Sequence, residues 1–147
     1  MANLLVGTFN SFYNEKIQTM ETKEREVIFA VYGTLKSNHG NHRCLGDEAE
    51  FLGTFITEPI YTLLDGGFPV VERGGDTAIH GELWKVRNER DIANVFGLEG
   101  CESQIQGHED NWYDFETVKT EFGDANIFVQ DQGQSNHGPK ITSGIWR

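Results

Sequence analysis

The chain has 147 residues, enough for one domain with a core of ordinary size. Hydrophobic residues make up 37% and charged residues 24%, a globular composition. The longest unbroken apolar run, residues 27–32, falls far short of the roughly 18 residues that argue for a membrane-spanning helix. Acidic side chains number 23 against 12 basic ones, for a formal charge of −11 that phosphate backbones repel, so neither membrane nor nucleic acid is expected as a partner.

Residues 1–25 stand apart. They lack the basic start, apolar stretch and small-residue cleavage site of a secretory signal. Leu4, Leu5 and Val6 have the composition of a short strand, but the stretch up to Arg25 is polar and charged. The expectation is a flexible or accessory leader, residues 1–25, before one domain over 26–147. Cys44 and Cys101 are far apart with no CxxC, which suits reduced thiols in a cytoplasmic chain.

From residue 26 onward the pattern is of short strands joined by glycine-rich turns. Residues 27–32 are apolar, β-branched and aromatic, and end at Gly33, which predicts a buried strand. A polar loop follows, with a short helix at 42–45. Strands are expected over 51–56, 60–64 and 68–72, the last two joined through Asp65, Gly66 and Gly67. Residues 79–86 alternate, placing Ile79, Gly81 and Leu83 opposite His80, Glu82 and Trp84, a strand covered on both faces. One helix is clear, over 88–98. Asn88 is its candidate cap, Glu89 and Asp91 suit its first turn, and Ile92, Val95 and Phe96 form an apolar stripe that Gly100 ends. Strands over 113–120 and 126–129 complete an α+β pattern around a small, partly closed sheet.

Glu99 is the most informative side chain. It continues the stripe of Ile92, Val95 and Phe96 by one step, so a carboxylate falls on the face that packs against the sheet. Burial and the negative end of the helix dipole both favour its neutral form, which moves its pKa toward the range of a general base. The competing expectation is that the helix frays first and Glu99 meets solvent. The turn of Tyr32, Gly33, Thr34 and Leu35 follows a buried strand, and a glycine there allows backbone N–H groups to approach an anion. Neither a phosphate loop nor GxSxG is present, and Cys44 has no recognisable partners as a nucleophile. The spacing of His39, His42 and Cys44 matches no zinc site, so no metal is expected. From Glu99 to Asp124 the chain carries eight acids and one lysine, a solvated face without a calcium-loop pattern.

Together these pieces resemble the gamma-glutamylcyclotransferase-like proteins, in particular their gamma-glutamylamine cyclotransferase branch. The resemblance runs through VYGTLK (31–36), GNHRCL (40–45), LGTFIT (52–57), YTLLDGGFP (61–69), IHGELW (79–84), LEG (98–100) and TSGIWR (142–147). It implies a small mixed β-barrel flanked by one or two main helices, closed by a C-terminal strand. It implies Glu99 as general acid/base, with Tyr32, Gly33, Thr34, Leu35 and Tyr113 binding substrate. The implied reaction is attack by the substrate's own α-amine on its γ-carbonyl, which releases 5-oxoproline and an amine from a small gamma-glutamyl amine or peptide. No cofactor or metal is implied, because the nucleophile is tethered. This chain departs from the pattern at Val95 and Phe96, in the longer stretch between Glu99 and Tyr113, and at Asp114, where the family has an arginine. The alternative is a catalytically inactive module that binds a metabolite or protein on the same fold; a structural role resting on the leader is a third. Glu82, beside Gly81, is the next carboxylate should Glu99 lie elsewhere.

Overall fold

The computed structural model describes residues 25–33, 35–37, 39–134 and 138–147. The proposed leader, apart from Arg25, and Thr34 of the Tyr32–Leu35 turn lie outside the described residues. Arg25 ion-pairs with Glu89 at 3.0 Å and donates to Gln104 at 2.7 Å.

The apolar run predicted as a buried strand is β1 (Val27–Val31), the middle of a five-stranded sheet. β2 (Glu50–Ile56), β3 (Tyr61–Asp65), β4 (Pro69–Arg73) and β5 (His80–Val86) follow, then α1 (Glu89–Leu98), β6 (Asp114–Thr120) and β7 (Gly123–Val129). The sheet order is β2-β5-β1-β7-β6, and its one parallel pair is β1 with β7. β3 and β4 form a separate hairpin. Successive β1 residues serve opposite faces, as a strand's period of two requires. Phe29 and Val31 join Ile92, Val95, Phe96 and Phe128 under the helix, whereas Ile28, Ala30 and Tyr32 join Leu63, Val71, Ile79 and Leu83 on the other side. Burial on both sides explains the absence of a polar face in this run. Each such side chain contributes about 1.5–3 kcal/mol when fully buried.

The resemblance implied a small mixed β-barrel; among the described residues barrel closure is not detected, and the hairpin meets the chain just beyond β7 through the isolated bridge Glu72 with Gln130 rather than through a continuous ladder. Among the described residues the fold is therefore α+β with mixed sheets and one α-helix, plus the short helical turn His42–Leu45. The expected closing strand is also not a strand. The tail instead docks as irregular backbone, with Ile141 N–H donating to Leu63 O at 2.8 Å and His80 N–H to Gly144 O at 2.9 Å. At Gly144, φ is 73° and an added Cβ would stand 1.8 Å from Ala78 O, so the chain presses too closely on its neighbour to run as an ordinary strand.

Candidate active site

The helix does not fray before Glu99. Its N-terminus is fixed by Asn88, whose side-chain oxygen accepts from Asp91 N–H at 2.9 Å. Its C-terminus is closed by a Schellman pattern: Gly100 N–H donates to Gly97 O at 3.0 Å and Cys101 N–H to Phe96 O at 2.8 Å. Gly100 takes the left-handed conformation this requires, with φ 68°. Cys101 is buried in the same cluster as Phe96, the apolar contact that accompanies such a cap. Phe96 is in turn held edge-on by Phe29 at 5.4 Å and by Phe128 at 5.6 Å. The backbone of Glu99, the cap residue, is therefore fixed at the helix end, and the residue is half-buried there.

Glu99 lines a cavity of about 220 Å³ together with Tyr32, Gly33, Leu35, Pro69 and Tyr113. Burial pushes its carboxyl up to about 7. No described cation pairs with it to pull that value down. The other members arrive from separate elements. Tyr32 follows β1 and donates its hydroxyl to Phe128 O at 2.6 Å; Tyr113 precedes β6 and donates to Pro69 O at 2.7 Å. Both phenols are raised well above their ordinary value, first by burial; the repulsion of the Glu99 charge adds to both. They act as neutral, fixed walls.

Gly33 is buried against Pro69, and an added Cβ would stand 2.5 Å from Pro69 Cγ. The close approach that glycine allows is thus to Pro69 in the first place. Gly33 O accepts from Lys36 N–H at 3.0 Å, and Leu35 O is bonded to His42 Nδ1 at 2.9 Å. Among the described residues neither the Gly33 nor the Leu35 N–H donates a hydrogen bond. Both residues line the same cavity as Glu99.

The long stretch between Glu99 and Tyr113 leaves the site intact because it is pinched at its base. Trp112 N–H donates to Gly100 O at 2.8 Å and Tyr113 N–H to Glu99 O at 3.3 Å. Residues 101–111 form an excursion tied internally, for example by Ser103 Oγ to Asn111 at 3.0 Å and Asn111 Nδ2 to Ile105 O at 2.9 Å. Asp114, where the resemblance implied an arginine, faces Arg73 at 2.7 Å; the same guanidinium also reaches Glu116 at 2.9 Å and Asp131 at 2.7 Å. Glu82 lies outside the cavity lining. It accepts from the Ser37 N–H at 2.6 Å and hydroxyl at 2.5 Å. Partial burial raises its carboxyl, but these bonds outweigh burial and the net shift is downward, the wrong direction for a base at neutral pH. The His42 ring, bonded to Leu35 O, also packs 4.6 Å from Trp84.

Sequence reasoning passed over Phe68, Leu98 and Trp112, which line the cavity on its outer side. Their exposure on turns and element ends gives no periodic signal. The YTLLDGGFP and LEG segments contain Phe68 and Leu98 without marking them as lining residues.

Comparison with known proteins identifies the architecture. Residues 29–147 match the family described as gamma-glutamyl cyclotransferase, AIG2-like, and the chain belongs to that family. It is similar to a Vibrio cholerae protein named "Putative gamma-glutamylcyclotransferase", with 35% identity over 124 residues that span 83% of this chain and 96% of that relative. An uncharacterised protein from Pyrococcus horikoshii has a similar structure, with a TM-score of 0.63 and 27% identity over 81% of this chain and 88% of its own. An AIG2-like protein from Mus musculus shares the fold at a TM-score of 0.57 and 19% identity, over 82% of this chain and 88% of the mouse chain.

Proposed function

We propose that the protein is a gamma-glutamyl cyclotransferase of the gamma-glutamylamine type, a transferase- or lyase-type cyclisation without cofactor or metal. The observation that carries the reading is the Glu99 carboxyl, raised by burial and with no described cationic partner, in one cavity with Gly33 and Leu35, whose N–H groups donate no hydrogen bond among the described residues. The amides, with Thr34 between them, take the substrate's α-carboxylate. Glu99 removes a proton from the α-ammonium group, and the freed amine attacks the γ-carbonyl carbon. A C–N bond closes the five-membered ring, the departing nitrogen receives the first proton from Glu99 as the original amide C–N bond breaks, and the second proton of the ring nitrogen passes through Glu99 to the released amine, which leaves as its ammonium form. The products are 5-oxoproline and a free amine; no water is consumed. Tethering supplies proximity, and the protein adds a bent substrate conformation and a proton shuttle. Tyr113 and Tyr32, with hydroxyls committed to carbonyls, bound the site sterically. The unbridged Cys44 and Cys101 fit a reducing, cytoplasmic setting.

The test is release of 5-oxoproline from a panel of gamma-glutamyl amines and dipeptides, with Glu99→Gln run alongside. Release by the parent and a fall of roughly 10²–10⁴-fold in the variant support the assignment. Parent protein that releases none while binding a panel member would leave the inactive binding module as the better reading.

A further inference from the structure

Glu82 is a charged side chain that the reaction leaves unused, and its bonds lead to the far end of the site turn. On β5 it stands opposite Val31, the last residue of β1, and opposite Thr54 of β2. The neighbouring Gly81 lets β1 come close, since an added Cβ there would stand 2.2 Å from Val31 O. From this position the Glu82 carboxylate meets the chain again at Ser37. One oxygen accepts the Ser37 N–H at 2.6 Å and the Trp84 indole N–H at 3.2 Å, and the other accepts the Ser37 hydroxyl at 2.5 Å. Two donors on one residue call for two acceptors side by side, which a carboxylate provides and a side-chain amide does not. Bonds to an ionised acceptor are also roughly twice as strong as neutral ones.

The segment 32–36 is therefore held at both ends. The β1–β5 ladder fixes its entry, and Glu82 fixes its exit. Within it, Lys36 N–H closes on Gly33 O at 3.0 Å, and Leu35 O is bonded to His42 Nδ1 at 2.9 Å. The Lys36 ammonium donates to Trp146 O at 2.6 Å. Gly33 and Leu35, whose N–H groups donate no hydrogen bond among the described residues, line the Glu99 cavity, which Glu82 does not. A cradle of backbone amides binds an anion well when its shape is set beforehand, because a turn that orders itself on binding gives up affinity to entropy.

We infer that Glu82 is a positioning residue, which through Ser37 holds the Tyr32–Leu35 turn in the shape that receives the substrate's α-carboxylate. This rests on the cyclotransferase reading and adds to it a residue outside the cavity. Glu82 touches no substrate atom. Its effect reaches the substrate through the Ser37 backbone and falls on binding rather than on the proton transfer at Glu99.

The test uses the full chain with gamma-glutamyl-methylamide or, where the parent turns another gamma-glutamyl amine over faster, that compound. Glu82→Ala removes every bond to Ser37, and Ser37→Ala removes only the hydroxyl. In Glu82→Ala, KM should rise at least about tenfold, the scale of one charged hydrogen bond, while kcat stays within about threefold. In Ser37→Ala, KM should rise about threefold, and the double variant should be no worse than Glu82→Ala because both act through one contact. The acid limb set by Glu99 near pH 7 should not move. A Glu82 that merely braces β5 would lower the amount of folded protein and leave KM alone. KM unchanged in both single variants, a loss confined to kcat, or single effects that multiply in the double variant overturns the inference while release of 5-oxoproline keeps the cyclotransferase reading standing. Where Glu82→Ala does not fold, Ser37→Ala decides alone: a raised KM supports the inference and an unchanged one overturns it. Absence of 5-oxoproline from every gamma-glutamyl amine removes the cyclotransferase reading instead. Amide ¹⁵N shifts on adding 5-oxoproline, which carries the same carboxylate, then decide the role of Glu82. A response at Gly33 and Leu35 in the parent that is weakened in Ser37→Ala supports it, and no response, or the same response in both, overturns it.

Discussion

Glu99 carries two consequences that can be measured separately. With its carboxyl at about 7, the kcat/KM profile should rise with pH through a limb near that value, and Glu99→Gln should remove the limb along with most of the rate. Stability should respond in the opposite sense. Between the ordinary value of 4.5 and about 7 the folded protein keeps a proton that the unfolded chain has released. The contribution of this group is therefore fully present below about 4.5 and is lost as pH rises through about 7. Thermal unfolding should show Glu99→Gln gaining on the parent from pH 5 to pH 8; a constant difference across that range would mean that Glu99 is solvated. This residue was legible in the sequence because the stripe of Ile92, Val95 and Phe96 points to it by simple helical spacing. What spacing could not supply was the helix end, since only the backbone bonds from Gly100 and Cys101 hold Glu99 at the last turn. Gly33 was legible as a strand-end glycine, but its contact is with Pro69, which lies 36 positions along the chain and leaves no local pattern.

At the level of elements, the excursion 101–111 and the hairpin β3–β4 bring the outer wall to the site, and both depend on contacts distant in sequence. Gly100 is the hinge of the first. An added side chain there would face both φ 68° and a Trp112 Cβ 2.8 Å away, so Gly100→Val should cost about 1–3 kcal/mol and displace Trp112 and Tyr113 from Glu99. A fall in kcat/KM beyond the loss of folded protein is the expected result. Gly107→Ala serves as comparison: φ is 77° but nothing lies within 4 Å, so only backbone strain is added and activity per folded molecule should hold. Arg73 ties β4 to β6 and to the segment after β7. Asp114 is raised by partial burial, but the Gly107 amide and Arg73 outweigh this and its net shift is downward. Its stabilising contribution is thus present above the ordinary carboxylate range and is lost as pH falls through the lowered value. Arg73→Met should destabilise by about 1–3 kcal/mol and blunt that acid dependence, read by urea unfolding at pH 3 and pH 7. The strands were legible from alternation and turn residues. The partnership of Arg73 with Asp114 was not, because it depends on how the hairpin docks on the sheet.

Across the whole molecule, the described chain is held together where a continuous barrel ladder is missing. The hairpin reaches the sheet through paired backbone bonds, Gln130 N–H to Val71 O and Arg73 N–H to Gln130 O, both 2.8 Å. The C-terminal tail makes the complementary link on the other side, joining Leu63 of β3, His80 of β5 and, through Trp146 O at 2.6 Å, the Lys36 ammonium beside the site turn. The sequence segment TSGIWR marked this tail as part of the fold, but a strand was the wrong form because Gly144 presses on Ala78 O at a backbone angle that a strand does not use. Gly144 is therefore a point where one residue governs the relation of hairpin, sheet and site turn. Gly144→Val places a β-branched side chain at φ 73° with its Cβ 1.8 Å from a carbonyl oxygen, so the tail must lift. A loss of about 2–4 kcal/mol, or roughly 5–15 °C in Tm for a domain of this size, is expected. Because Lys36 loses its anchor with the tail, KM for a gamma-glutamyl substrate should rise in the protein that remains folded while the acid limb set by Glu99 stays near its original pH. Unchanged KM in stably folded Gly144→Val would show that the tail braces the sheets without reaching the turn, and a shift of the Glu99 limb would show that the two ends of the cavity move together.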